Sequence, residues 1–407
     1  MSKNINVPKL RFKEFCGEWE EKKFEDIFNF SIGKNIKQNE ASPDFEIPCV
    51  RYGELYHMYS EVISKVINKT NLDKSELLFS DGDEILMPSA GEDPLDIGLA
   101  SALTLKNVAI GRTINILKPL KENIYSQIFV SYYINEKLRK KISTLAKGSS
   151  ISNVYNSDLK QLKLKLPILD EQEKIALFLS SVHKKIEKLT KKDELLQQYK
   201  KSIIQKIFSQ EIRFKADDGN KFPEWEEKKL GKYLKQKSKK NKENLINLVL
   251  SVSNKKGFVT QNEQFDGYEV ASKDTTEYKI VEIGEYAYNP SRINVGSIAR
   301  LENFKIGIVS PMYIIFSLIE KLNPIFFDNL YQTHRFKHLI KIGCSGSVRD
   351  SLNFEDMANF KILLPCIEEQ NKIANFLSSI DDKIEKNQKI LEKTKEFKKS
   401  LLQQMFV

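Results

Sequence analysis

The chain has 407 residues, 41% of them hydrophobic and 10% aromatic, so wholesale disorder is excluded and roughly two to three domains are expected. A net charge of +10 and a pI near 9.0 fit an acidic polymer as partner, while the abundance of Asp and Glu excludes a simple basic tail. No run approaches the roughly 18 apolar residues of a membrane helix, no apolar run follows the first charges as in a signal peptide, and Cys16, Cys49, Cys344 and Cys366 form no CxxC pair, so a cytoplasmic protein with reduced thiols is expected.

The chain opens on a basic-aromatic lead-in, Arg11-Phe12 and then Trp19-Glu20-Glu21-Lys22-Lys23-Phe24. A first body follows. Between Glu46 and Leu117, short apolar runs such as Glu84-Ile85-Leu86-Met87 are broken by Gly, Asp and Asn, which predicts strands with shorter helices between them. After Leu166-Pro167 comes Asp170-Glu171-Gln172, an acidic first turn that suits a helix dipole. Ile175, Val182, Leu189, Leu196 and Ile203 then recur seven apart, accompanied by Phe178, Leu179, Ile186, Tyr199 and Ile207. With no Gly or Pro inside, the pattern predicts one helix of about 39 residues, roughly 58 Å long.

The same order then repeats. Arg213-Phe214 and Trp225-Glu226-Glu227-Lys228-Lys229-Leu230 form a second lead-in, and a second body with runs such as Ile314-Ile315-Phe316 spans Leu245 to Leu318. Leu364-Pro365 and Glu368-Glu369-Gln370 open a second helix, with a stripe of Ile373, Phe376, Ile380, Ile384, Ile390, Phe397, Leu401 and Met405. Residues 162–209 and 360–407 align without a gap at about half identity, well beyond chance. Gly148-Ser149 matches Gly346-Ser347, and Asp158 matches Asp356, at the same offset. The unit is too long for a solenoid, so this is domain duplication. The bodies share little, as expected if the flanks meet one kind of partner twice while the bodies meet different ligands.

The expected fold is therefore two α/β (α+β) bodies in tandem, with two long helices pairing as an antiparallel coiled coil about a pseudo-two-fold axis. The segments are 1–165, 166–210, 211–363 and 364–407. The expected seam is Ile175, Val182, Ile186, Leu189, Leu196 and Ile203 against Ile373, Ile380, Ile384, Phe397 and Leu401. Asn387 and Thr394 stand where the first helix has Leu189 and Leu196. They either fix register within the seam or face solvent or another subunit.

For a nucleic-acid partner, Arg and Lys suit phosphates, and Arg, Asn, Gln and Ser suit base edges. The candidates are Arg51, Tyr52, Lys147, Gly148, Ser149, Ser150 and Asn153 in the first body, and Tyr288, Asn289, Arg292 and Arg349 in the second. Gly148 and Gly346 would let backbone approach a phosphate. A solvated or core-supporting role accounts for any one of them equally well. Signs of catalysis are weak. Asn323-Pro324-Ile325-Phe326 lacks the second Pro of an adenine-methylation motif, and Gly343-Cys344-Ser345-Gly346-Ser347 follows no clear strand. His334 and His338 stand four apart, but Arg335, Lys337 and Lys341 would repel a cation. No Walker motif or nuclease-like carboxylate cluster occurs, so no catalytic, metal or cofactor site is assigned.

Taken in order, these features resemble the specificity subunit of Type I restriction–modification systems. The matching segments include both lead-ins and, in the first body, Ile47-Pro48-Cys49-Val50-Arg51-Tyr52-Gly53 and Asp81-Gly82-Asp83-Glu84-Ile85-Leu86-Met87. In the second body they are Tyr286-Ala287-Tyr288-Asn289-Pro290-Ser291-Arg292 and Gly307-Ile308-Val309-Ser310-Pro311-Met312-Tyr313, and Leu-Pro followed by Glu-Gln and Lys-Ile-Ala opens each helix. The resemblance implies two target-recognition domains, each reading half of a bipartite site in double-stranded DNA, and a coiled coil acting as ruler across the spacer. It also implies two methyltransferase subunits on the duplicated helices, restriction subunits joining them, and N6-adenine methylation. S-adenosylmethionine, ATP and magnesium would be held by those partners, and none by this chain. The alternatives are a stand-alone methyltransferase or nuclease with a divergent site, and a coiled-coil scaffold carrying lectin-like or peptide-binding domains.

Overall fold

The computed structural model describes residues 6–148, 150–254, 256–264, 274–344 and 351–407. It divides into two compact units, one made of Met1–Lys191 with Lys389–Val407 and the other of Lys192–Gln388. The first unit contains, in order, β1 (Glu20–Lys23), β2 (Phe28–Ile32), α1 (Tyr52–His57), β3 (Val62–Ile63), β4 (Glu84–Pro88), β5 (Ala90–Gly91), β6 (Ser101–Leu103), β7 (Ile114–Pro119), α2 (Gln127–Tyr133), β8 (Ser152–Asn153) and β9 (Lys163–Leu166). It then enters α3 (Leu169–Phe208), which continues into the second unit. Five strands form a sheet in the order β2-β7-β4-β6-β3, antiparallel except for the β3–β6 pair. Every residue of β4 is buried, which explains why Glu84-Ile85-Leu86-Met87 reads as a continuous run and not as an alternation. The lead-in strand β1 pairs with β9, Glu20 opposite Leu166, and so ties the lead-in to the residues just before α3.

The second unit repeats this plan. Its elements are β10 (Glu226–Lys229), β11 (Leu234–Lys237), β12 (Tyr286–Tyr288), β13 (Ile298–Arg300), β14 (Ile314–Leu318), α4 (Pro324–Leu330), α5 (His334–Cys344), β15 (Lys361–Leu364) and the start of α6 (Ile367–Met405). The sheet order β11-β14-β12-β13 copies β2-β7-β4-β6, and β10 pairs with β15 as β1 pairs with β9. Two bodies with little common sequence thus keep one topology. Among the described residues, no helix is long and apolar enough to cross a membrane.

The acidic first turn of each long helix does more than complement a dipole. Glu171 is fully buried, and both its oxygens accept from Arg11, Nε at 2.8 Å and Nη2 at 2.7 Å. Glu369 is equally buried and takes Arg213 Nε at 3.3 Å and Nη2 at 3.0 Å, with Trp225 Nε1 adding a third donor at 3.1 Å. The neighbouring glutamines complete the joint. Gln172 donates to the Pro167 carbonyl and accepts from the Ser126 amide, which begins α2. Gln370 does the same with Pro365 and Asn323, at the start of α4. Behind each pair an aromatic of the lead-in packs on the helix, Phe12 on Phe178 at 5.8 Å and Phe214 on Phe376 at 5.4 Å.

The helix seam corrects the sequence reading. The positions turned inward on α3 are Ile175, Leu179, Val182, Ile186, Leu189, Asp193, Leu196, Lys200, Ile203 and Ile207; on α6 they are Ile373, Leu377, Ile380, Ile384, Asn387, Leu391, Thr394, Lys398, Leu401 and Met405. Both sets alternate steps of four and three, the heptad spacing of a coiled coil. Phe397, expected in the seam, is 51% exposed, and Ile390 is 40% exposed. Leu391 fills the heptad instead while Leu401 holds its expected place, and the aromatics Phe178 and Phe376 turn back onto their own lead-ins. Asn387 and Thr394 are buried at 2% and 8%, so they are seam residues and do not face solvent.

In the first unit, the C-terminal part of α6 lies on the N-terminal part of α3, with Leu401 and Met405 clustered with Ile175, Leu179 and Val182. In the second, the N-terminal part of α6 lies on the C-terminal part of α3. There Gln388 meets Asp193 at 3.3 Å and Asp381 meets Lys200 at 2.5 Å, descending on one helix as the other ascends. The pairing is antiparallel.

The clasp and the seam can each be tested by stability. Arg11→Ala leaves the Glu171 carboxylate buried and unpaired, and should cost about 3–5 kcal/mol in urea unfolding. Arg11→Lys keeps the charge but not the two-pronged geometry, and should fall between that variant and the parent. In the seam, Leu391→Ala should cost about 2–5 kcal/mol, while Phe397→Ala should stay within about 0.5 kcal/mol. Equal losses from Leu391 and Phe397 would refute the assigned seam.

Candidate nucleic-acid interface

Three strands of the first sheet meet at one end, where Ile32 pairs with Asn115 and Pro88 with Ile114. The loops leaving this end are held in costly conformations. Asn35, Ile36 and Thr113 adopt left-handed backbone at φ 52°, 57° and 66°, a state asparagine tolerates but one that costs roughly 1–2 kcal/mol for the β-branched Ile36 and Thr113. Strain of this kind persists only where the surroundings enforce it, and it gathers at functional sites. Here the Arg112 amide donates to Asn35 O and the Lys34 amide to Ile110 O, so the two strained loops lock together. The Gly111 amide donates to Val50 O, which brings Arg51 and Tyr52 beside them.

A second route reaches the same end. Tyr56 of α1 donates its hydroxyl proton to Ala90 O, and β5 pairs with β8, Asn153 opposite Ala90. Lys147 exchanges backbone hydrogen bonds with Asn153 at 2.9 and 2.8 Å. The intervening turn requires glycine. Gly148 has φ 131°, and a Cβ there would stand 2.1 Å from Ile151 O. Arg51, Tyr52, Lys147, Gly148, Ser150 and Asn153 therefore do assemble, while Ser149 lies outside the described residues.

Their individual states differ. Arg51 Nε donates to the buried Glu54 at 2.8 Å and so braces the start of α1. Tyr52 is 41% exposed and stands edge-on to Tyr56. Lys147 pairs with Asp158 at 2.7 Å. Ser150 is exposed and Asn153 half-buried. Sequence reasoning missed Arg112, which is exposed. Nothing near it in the sequence marks it out, because what distinguishes it is a guanidinium that the fold leaves without a partner.

At the corresponding end of the second sheet, Tyr288 pairs with Ile314 and the chain continues through Asn289 to Arg292. Tyr288 is a correction. It is fully buried on an interior strand, and burial pushes its phenol well above the usual range, so it is a core residue and not a surface contact. Asn289 uses its side chain to accept from the Ser291 amide at 3.0 Å, a turn of the Asx type. Arg292 is exposed and begins the 3-10 turn Ile293–Val295, which closes on Gly296 at φ 100°. That turn forms one wall of a cleft of about 530 Å³, which Asn254, Asn294, Gln332 and Lys337 also line. Lys239 and Lys242, just past β11, are exposed and missed by the sequence reading. Arg349 and the Gly346-Ser347 match to Gly148-Ser149 lie outside the described residues.

The alternative chemistries find little support in the geometry. Asn323 caps α4 by accepting from the Phe326 amide at 3.0 Å, and Phe326 is fully buried, so the near-methylation motif is occupied with folding. His334 and His338 share an exposed face of α5 with Arg335 and Lys337. The acidic group Asp81, Asp83 and Glu84 is the one metal-like cluster among the described residues. Glu84 accepts three successive backbone amides there, and the Lys118 ammonium bridges it to Asp81 at 3.1 and 2.5 Å.

Two bodies of one topology, each offering the same sheet end and each clasped to a shared helix pair, define a tandem recognition protein. A family model described as the Type I restriction modification DNA specificity domain matches residues 17–197 and again 220–396, and the chain belongs to that family. It is 27% identical over 433 residues to the putative MjaX type I restriction enzyme specificity subunit of Methanocaldococcus jannaschii, covering 98% of this chain and 95% of that one. The MjaVIII specificity subunit of the same organism is 25% identical, with 96% and 94% covered. Among solved structures, a Type I restriction–modification S subunit from M. genitalium aligns with a TM-score of 0.62 at 18% identity, over 98% of this chain and 99% of that one, which supports the fold.

The turn at Gly148 gives a direct check of this interface. Gly148→Ala should destabilise the first unit by about 1–3 kcal/mol, because the new Cβ cannot share the turn with Ile151 O. Gly53→Ala, where a Cβ meets nothing within 4 Å, should stay within about 0.5 kcal/mol of the parent or gain slightly. Unfolding midpoints in urea compare the two.

Proposed function

We propose that the chain is the non-catalytic specificity subunit of a Type I restriction–modification complex and reads a bipartite site in double-stranded DNA, one half-site per body. The observation that carries this reading is the repeated sheet end. Topology is kept, but the loops there are strained and locked in one body and lysine-rich beside a cleft in the other. One scaffold presenting two chemistries suits two different half-sites better than one repeated site. The duplicated clasps and helices suit two copies of one partner, a methyltransferase subunit bearing S-adenosylmethionine, with restriction subunits supplying the ATP- and magnesium-dependent steps. The modification would be N6-adenine methylation, and the antiparallel helices would set the spacer between half-sites.

The spacer can be altered without touching either body. An insertion in α3 alone would throw the seam out of register. Seven residues placed after Leu189 in α3, with seven placed after Ile390 in α6, keep the heptad on both helices. They lengthen the pair by roughly 10 Å, close to three base pairs of DNA rise. Co-expressed with a methyltransferase partner, this variant should direct methyladenine to a motif with both half-sites intact and a longer spacer. An unchanged spacer in an active variant would show that something other than helix length sets the distance. The parent chain alone, incubated with DNA and labelled S-adenosylmethionine, should transfer no methyl group. Transfer without a partner would favour the stand-alone enzyme.

A further inference from the structure

We infer that Arg112 in the first body and Arg292 in the second each read a guanine through the major groove, one in each half-site. The inference rests on the DNA-reading function proposed above and assigns it to particular side chains. Most arginines of the chain are already engaged. Arg11 and Arg213 are held in the clasps, Arg51 braces α1 through Glu54, Arg139 pairs with Asp96, and Arg300 pairs with Asp328. Among the described residues, only Arg112, Arg292 and Arg335 have guanidinium groups with no hydrogen bond or ion pair. Arg335 lies on α5, where it lines a small pocket with Phe208 and Trp225. The other two stand at the same end of the same sheet, one in each unit.

Both are presented on fixed backbone. The Arg112 amide donates to Asn35 O at 2.8 Å, between Gly111, tied to Val50 O, and the left-handed Thr113. The Arg292 amide donates to Asn289 O at 3.0 Å, and its carbonyl accepts from Val295 and Ser297. The fixed backbone leaves only the side chain to be ordered on binding, and the guanidinium fork matches the O6 and N7 acceptors of guanine. A lysine can supply the charge but not the fork.

The two bodies place this group differently. Because Ile114 pairs with Pro88 as Ile314 pairs with Tyr288, Met312 stands in the second body where Arg112 stands in the first. By the same register, Glu92 stands where Arg292 stands. The two guanines therefore fall at different positions within their half-sites.

The test uses the full chain co-expressed with a methyltransferase partner, with methyladenine mapped genome-wide and duplex binding measured on the purified complex. Arg112→Ala should relax one guanine in one half-site, with discrimination there falling about ten- to a hundred-fold, and leave the other half-site as in the parent. Arg292→Ala should do the converse. Arg112→Lys should not restore discrimination. Neither side chain holds a partner in the fold, so unfolding midpoints should match the parent. An unchanged motif in either alanine variant would overturn the assignment for that body. An even loss of affinity across all sequences in the alanine variant, restored by Arg112→Lys, would identify a phosphate contact and overturn it as well. A parent complex without any sequence preference would remove the proposed function itself, and is recognised before any variant is compared.

Discussion

A carboxylate with no access to water stands at the start of each long helix, and the architecture is arranged around satisfying it. Glu171 and Glu369 each need a partner in the interior, because an isolated buried charge costs far more than a domain's margin of stability. Each is met by an arginine from a segment some 160 residues earlier, Arg11 in one case and Arg213 in the other. The pairing forces the lead-in to return to the helix start after the whole body has been traversed. That return is what lets β1 close on β9 and β10 on β15. Duplication has kept this joint while the loops it supports have diverged.

The helix seam shows a different compromise. A coiled coil built only from leucine and isoleucine would gain stability but tolerate slippage, whereas polar seam residues restrict register at some cost. The middle of this seam holds Asp193, Lys200, Asn387, Thr394 and Lys398 among its apolar layers. Lys398 is also drawn into the first body, bonding Glu61 at 2.9 Å and lying against His183 and Tyr132. A seam residue that reaches a body links helix register to domain position in the first unit.

Much of this is legible in the chain itself. The long helices announce themselves through uninterrupted heptads, and the duplication through aligned flanks. What periodicity cannot settle is which of two neighbouring stripes faces inward. Phe397 and Leu401 are four apart on similar faces, and size alone favours the phenylalanine for the seam, although it lies outside it. The acidic first turn is legible as dipole chemistry, but its partners are too distant in sequence to be inferred from spacing. Candidate contacts divide for the same reason. Gly148 carries its own conformational signal, whereas Tyr288 looks like a loop aromatic until its strand is seen between two others. Arg112 is distinguished only by what fails to touch it, and that is a property of the fold.

The division of the helices between the units has a consequence for synthesis. The first body is completed by residues 389–407, whose Phe406 packs against Trp19 and Phe129. On the ribosome, residues 1–191 emerge with that position vacant. The segment 192–388 must be made before it can be filled, an interval of roughly 10–40 s at ordinary elongation rates. Of the two units, the one whose synthesis begins earlier is thus the one completed later.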